Sequence, residues 1–438
     1  MPEMPQLRPR SVRELRAWRN AVFLVFFLSG LSIATWVARL PALRDVVGLS
    51  MQEVGLVIAT GAVGSVVGLV LAPPVLARLG SRWGMSGALV TVSVGVVLVG
   101  IGGSMLPSAL LISLGLALCG LGNGAVDVMM NVEAASAERE LGRTLMPLMH
   151  AFFSFGTAAG AFTAAAAASL STNLLPHFVL IAMLIGGGGV IAVRSVPIPA
   201  RAAPGGPDQL EARVTDDTLA REKVTRRLTV TRTLSQWRAR LRESLAVWAD
   251  IRLLLIGTIM LGMAFAEGSA NDWLVIAIVD GHHLTSTAAA VMFGIFSVAM
   301  TGARVLGGPL IDRFGRVPVL RTLGVAGMLG LALFIWGSAP WVYAVGAVLW
   351  AIGCSLGFPV GMSAAADDPV NPTARVSAVA IIGYCAFLTG PPLLGFLGQR
   401  WGILTALTVV LALITTATLL APAARERLRP QPVTPYEK

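Results

Sequence analysis

The chain has 438 residues, of which 55% are hydrophobic and only 13% charged, with 33 basic and 23 acidic side chains and a formal net charge of +10. An average soluble domain carries about twice that charged share, so a water-facing surface over two or three soluble domains is excluded and an integral membrane protein is expected.

No Asp, Glu, Lys or Arg occurs over 83–126, 144–193 or 322–366. Each gap is long enough for two membrane helices of about 20 residues joined by a turn. The continuous apolar runs exclude the alternating strands of a β-barrel. In chain order they predict twelve spans near 20–43, 52–76, 84–104, 108–132, 146–169, 177–193, 252–274, 287–310, 317–337, 341–364, 376–399 and 401–420. The first run leads into further spans with no small-residue cleavage site, so it reads as a span and not as a removed signal peptide. The expected organisation is a cytoplasmic segment 1–19, a six-helix bundle 20–193, a cytoplasmic Arg-rich linker 194–250, a second six-helix bundle 251–420 and a cytoplasmic tail 421–438.

Lys and Arg set the orientation. With both termini inside, 29 of the 33 basic residues fall on the cytoplasmic side, so the positive charge is a topology signal and implies no nucleic-acid partner. The linker holds eleven basic and seven acidic residues; its stretch 219–245 reads equally as an amphipathic helix on anionic lipid or as a solvated connector.

The halves read as copies. ARLGSRWG (77–84) and DRFGRVPV (312–319) lie 235 residues apart, Trp36 and Trp273 lie 237 apart, and Gly120 and Gly124 match Gly353 and Gly357 at 233. Duplicated six-helix bundles are characteristic of one class of secondary transporter, in which the substrate path runs between the halves.

Charged residues left within the spans are the functional candidates, because an ionised side chain in hydrocarbon is costly. Asn123, Asp127 and Asn131 follow i, i+4, i+8 in the fourth span and share one helical stripe. Asp127 is either a proton or substrate site or a buried carboxylate that locks the bundle. Glu133, at the inner end of the same helix, is expected to pair with Arg139 or Arg143. In the seventh span Glu267 lies about 22 Å in from Arg252 at the helical rise, with Asn271 one turn further on and Asp272 and Trp273 near the outer end. Arg39, near Trp36 in the first span, either pairs with Asp272 or Glu267 as an outer gate or snorkels to outer headgroups. His150, near the inner end of the fifth span, is a proton partner or a packing group. Trp350, Phe358 and Tyr384 either stack on a ring-shaped solute or pack in the core.

GGPLIDRFGR, Gly307 to Arg316, resembles the inner-loop signature of the major facilitator superfamily. That resemblance implies that Gly308, Asp312, Arg313, Gly315 and Arg316 belong to a gating loop, with Arg304 in its packing cluster. The first-half copy has Ala77 at the acidic position and keeps Arg78 and Arg82. GLGNGAVDVMMN (120–131) resembles the acid-x-x-x-Asn element of fucose-type proton symporters and implies that Asp127 is the protonatable carboxylate. NVEAASAERELGRTLMPLMHAFFSFG (131–156) and AEGSANDW (266–273) resemble the MosC-like branch, which implies an inositol derivative or related metabolite as solute. The carboxylate that the fucose-type pattern places shortly before Pro41 is missing, Val37 and Ala38 standing there, which leaves Glu267 as the second coupling candidate.

The four scattered histidines and three in-span cysteines give no metal-ligand spacing, and Lys223 and Lys438, the only lysines, sit in no phosphate-binding loop, so no cofactor, metal or ATP drive is expected. No nucleophile and base share motif context, so the chain is not expected to be an enzyme. The expectation is an all-α integral membrane protein with 12 transmembrane helices in two pseudo-symmetric six-helix bundles, a monomer of the cell membrane that moves a small polar solute with protons by alternating access. Two alternatives remain: a proton antiporter exporting a metabolite or drug, and a nontransporting sensor of the same fold.

Overall fold

The computed structural model describes residues 11–142, 145–197, 247–367 and 372–426, and the described residues form helices and connecting turns without a strand. Linker residues 198–246, with the proposed amphipathic stretch, lie outside them.

The first helix begins earlier than its apolar run. Ser11 and Glu14 form a capping box, with the Glu14 carboxylate taking the Ser11 amide at 2.7 Å, so α1 (Val12–Val37) includes part of the segment read as a non-membrane lead-in. The expected first span to residue 43 divides: the chain turns at Ala38 and Arg39, and Pro41 sits in the first turn of a separate α2 (Leu40–Val47). The third helix, α3 (Met51–Gly102), has 52 residues. At about 1.5 Å per residue it would far exceed a bilayer core of roughly 30 Å if straight. Gly80, at φ 72° and ψ 168°, divides it into two arms that correspond to the second and third expected spans. Then come α4 (Ala109–Leu141), α5 (Met146–Ser169) and α6 (Leu174–Val193).

The second half holds α7 (Ile251–Ile276), extended by a π-helical turn Ala277–Gly281, followed by α8 (Ser286–Phe314) and α9 (Arg316–Trp336). The tenth expected span is broken at Ser355 and Leu356 into α10 (Pro340–Cys354) and α11 (Gly357–Ala366). The half closes with α12 (Pro372–Trp401) and α13 (Ile403–Leu420). Eleven helical segments among the described residues are long and apolar enough to cross a membrane, and the two arms of α3 bring the crossings to twelve.

Gly315, between α8 and α9, has φ 80° and ψ 162°, nearly the conformation of Gly80. This region is open essentially to glycine alone, so the 235-residue repeat is a repeat of backbone geometry as well as of letters. The end bearing these two turns is the one expected from the Lys and Arg bias to lie on the inner side.

Within the membrane, helix association depends on close packing, since lipid tails are as apolar as leucine. The α3–α4 seam meets that need: a Cβ at Gly64 would sit 2.1 Å from the Ala117 carbonyl oxygen, and one at Gly68 2.2 Å from that of Leu121. At the inner end of the second half, Asp250 caps α7 by accepting the Arg252 amide at 2.8 Å and also accepts a hydrogen bond from Arg375 of α12. The Arg375 guanidinium, with those amides, holds the Asp250 carboxyl below the usual carboxylate range. A depressed folded-state pKa gives stability that is present above the unfolded value and lost as pH falls through the folded one. Asp250→Ala should therefore lower the Tm of the detergent-solubilised protein at pH 7 by the equivalent of about 1 kcal/mol, with the difference from the parent shrinking in acid, as thermal scans at both pH values would show.

Candidate functional site

The outer end is closed by backbone contact between the halves. A Cβ at Gly55 of α3 would lie 2.5 Å from the Pro391 carbonyl oxygen of α12, and one at Gly395 would lie 2.7 Å from that of Met51. Small residues at these positions let the two helices touch. Two polar contacts reinforce the seam: the Met51 amide donates to Gln399 Oε1 at 2.9 Å, and Arg44 forms an ion pair with Asp280. The apolar core is continuous there, with Ala34, Val37, Val54, Ile58 and Ala161 of the first half packed in one cluster with Trp273, Phe293 and Leu394 of the second.

A cavity of about 640 Å³ occupies the opposite side of this seal. It runs from Glu267 and Arg304 at depth to Asp312, Arg316 and Ser363 at the inner mouth, with His150 and Ser154 of α5 facing from the first half. With one seam shut and this cavity reaching the loops at the other end, the conformation is open on one side, which is the inward side in the orientation expected from Lys and Arg.

Glu267 and Arg304 form the deepest polar feature. Arg304 Nη2 donates to both Glu267 carboxylate oxygens at 2.8 Å, and its Nε donates to the Ser355 carbonyl oxygen at 3.1 Å. That carbonyl lies at the break between α10 and α11, where regular helix bonding lapses. Arg304, expected in the loop's packing cluster, lines the same cavity as Gly308, Asp312 and Arg316, and its ion-pair partner is Glu267, 37 residues away on the adjacent antiparallel helix.

Asp127 and Asn131 stay together, the Asn131 amide donating to the Asp127 carbonyl at 2.8 Å and to its carboxylate at 3.2 Å. Across the halves Asp127 lies within electrostatic range of Tyr384, a partly exposed residue of α12 whose ring edges against the cavity residue Phe358 at 6.4 Å. Among the described residues no cation pairs with Asp127.

Several expected site residues are placed elsewhere. Asn123 accepts from Ser29 at 2.9 Å and donates to Ser32 at 3.0 Å, so its amide bonds α4 to α1 and is not a free cavity group. Arg39 donates to the Thr172 carbonyl at 2.8 Å in its own half, which corrects both the gate with Asp272 or Glu267 and the snorkelling alternative, since the side chain is buried. The outer pair is instead Arg44 with Asp280, opposite charges 236 residues apart and so at the repeat offset, a signal the sequence did contain. Trp273 is fully buried, as is Trp350, which packs edge-on against Phe296 at 5.7 Å, so neither faces a solute. Trp36 is half-buried and packs against core clusters of both halves. Asn271 and Asp272 are half-buried. Glu133 accepts the Trp18 indole at 2.8 Å, and Arg143, one of its two expected partners, lies outside the described residues.

At the inner loop Gly308 and Asp312 line the cavity mouth, and Arg313 is exposed and lies over the Phe314 ring at 5.3 Å. Arg316 pairs with Asp367, donates to Ser363 at 2.8 Å, and gives its amide to Glu426 at 2.7 Å, tying the Gly315 turn to the end of α11 and to the segment after α13. Arg78 is exposed and Arg82 half-buried in the first-half copy.

Twelve crossings in two related bundles, a seam closed at one end and a polar cavity open at the other define a secondary transporter fold. The profile of the Major Facilitator Superfamily matches residues 22–385 and 269–438, and the chain belongs to that family. It is 25% identical to the uncharacterized transporter y4wD of Sinorhizobium fredii, over 94% of this chain and all of that one. It is 24% identical to the membrane protein MosC of Rhizobium meliloti, over 90% of this chain and 86% of that one. The crystal structure of a D-xylose-proton symporter superposes with a TM-score of 0.70 at 13% identity, covering 93% of this chain and 97% of that one. These relatives are transporters or membrane proteins of the same family and not enzymes.

Proposed function

We propose that the protein is a proton-coupled symporter of a small polar organic solute, of the sugar, inositol-derivative or related-metabolite kind. It works by alternating access as a monomer in the cell membrane, with both termini in the cytoplasm. The observation that carries this reading is Asp127, a carboxylate inside the helix bundle whose hydrogen-bonding partner is Asn131 and which lies within electrostatic range of Tyr384 of the other half. An acid in such a place is costly when ionised and has no fixed counter-charge among the described residues, so it suits reversible protonation as the cavity changes sides. Glu267 is the second protonatable group and lines the cavity together with His150, while Asn131 holds Asp127 and Tyr384 lies within its electrostatic range. The resemblance to a D-xylose-proton symporter supports the same reading.

The test is solute uptake into proteoliposomes. A radiolabelled panel of sugars, inositols and their derivatives should give uptake that rises at least tenfold with acid outside and falls to the passive level when a protonophore collapses the gradient. Uptake indifferent to the gradient would make the protein a uniporter, and flux against the imposed proton movement would make it an antiporter; either result refutes symport.

A further inference from the structure

We propose that the transported solute carries a carboxylate, which docks on Arg304 in exchange for Glu267. The proposal deepens the symport reading and rests on it for the cavity being the transport path.

The geometry of the pair suits exchange. Arg304 is anchored independently of Glu267, because its Nε is engaged by the Ser355 carbonyl oxygen. Glu267 holds the guanidinium through one nitrogen only, both carboxylate oxygens meeting Nη2, so the two-nitrogen fork that guanidinium offers to a carboxylate is not used by Glu267. Both residues line the cavity, and the Arg304 side chain keeps one third of its surface exposed. An incoming carboxylate therefore meets a cation that is held in place, partly open and less than fully engaged.

Charge conservation supplies the rest. Before exchange the site holds one guanidinium and one carboxylate and is neutral. When the solute carboxylate takes the guanidinium, Glu267 loses its counter-charge in a poorly hydrated wall, and one proton taken from water onto a Glu267 oxygen restores neutrality. One carboxylate and one proton enter together, no bond other than that O–H forms, and both end states carry the same net charge. The surrounding surfaces fit an organic anion: Thr301, Ser154 and His150 offer hydrogen bonds, and Phe358 and Phe387 offer apolar area for a carbon skeleton.

Purified protein separates this proposal from the symport reading. The probes are lactate, quinate, shikimate, gluconate, glucuronate and benzoate, each set against its uncharged amide or alcohol counterpart, with binding measured by calorimetry at pH 5.5 and pH 8. At least one carboxylate should bind at least tenfold more tightly at pH 5.5 than at pH 8, with about one proton taken up, and its neutral counterpart should not. E267Q should bind that carboxylate equally at both pH values, and R304Q should lose at least tenfold in affinity. Should R304Q fail to fold, the pH-independent binding of E267Q decides. No carboxylate binding better than its counterpart, binding that survives R304Q, or E267Q with the parent's pH dependence overturns the proposal. Gradient-driven uptake of a neutral solute without carboxylate binding leaves symport standing and removes this inference. Carboxylate binding with proton uptake in a protein whose flux ignores the gradient does the reverse.

Discussion

Asp127→Asn should abolish uphill accumulation of solute, a loss of at least tenfold to the passive level, while solute exchange across equilibrated membranes continues. Asparagine keeps the shape and the neutral hydrogen-bonding capacity of a protonated aspartate, so the Asn131 contact at this position survives and the fold is not at stake. What it removes is the second protonation state. If the carboxylate must be neutral to cross and ionised to release its proton, the variant is fixed in the neutral state and moves solute only down its own gradient. Parallel uptake and counterflow assays on one preparation check this, and a Tm within about 2 °C of the parent establishes that the protein is folded. Simultaneous loss of exchange and accumulation in a folded variant would mean that Asp127 locks the bundle or binds solute, and that the proton acts elsewhere.

Gly55→Leu should hold the outer side open. The added side chain begins 2.5 Å from the Pro391 carbonyl oxygen, which is backbone and cannot rotate away, so the clash falls on the outer-closed conformation and is relieved when the halves separate there. Overpacking typically costs about 1–3 kcal/mol, and each 1.4 kcal/mol moves a two-state equilibrium about tenfold, so the inward-open population should drop by about one to two orders of magnitude. Cysteine accessibility reads this directly in a background where Cys385, the exposed native cysteine, is replaced by serine. Ala161→Cys, now buried in the outer seam, should become reactive to an impermeant maleimide, and Ser154→Cys on the inner cavity should become protected. Gly55→Ala is the milder control. Unchanged labelling at both sites in the leucine variant would show that the Gly55–Pro391 contact does not control closure.

Much of the fold was legible because the membrane imposes it. Stretches without charge mark the crossings, and the loop around Gly315 repeats the one around Gly80, down to a backbone conformation that only glycine tolerates. Tertiary pairing was less legible. Arg304 is eight residues from Asp312, and that linear closeness points to the loop, but its side chain reaches sideways to Glu267 on the neighbouring helix. Asn123 shows the limit of helical spacing. Steps of four residues drift by about 40° around a helix, so the stripe from Asn131 through Asp127 turns toward α1 by the time it reaches Asn123. Matching letters also need not mean matching partners: a Cβ at Gly124 would meet Ser65 of α3, whereas one at its repeat mate Gly357 would meet Met263 of α7. The halves share an architecture and have diverged in packing, and the ionised pair in the cavity belongs to the second half alone.

The most direct test of the central claim is proton movement triggered by solute. Reconstituted protein, with a pH-sensitive dye trapped inside the vesicles and no imposed gradient, is given an inward solute gradient under conditions that clamp the membrane potential. The wild-type protein should acidify the lumen as solute enters, a protonophore should erase the signal, and Asp127→Asn should lose the part of it that Asp127 carries. Solute entry in the wild-type protein with an unchanged luminal pH would contradict proton coupling.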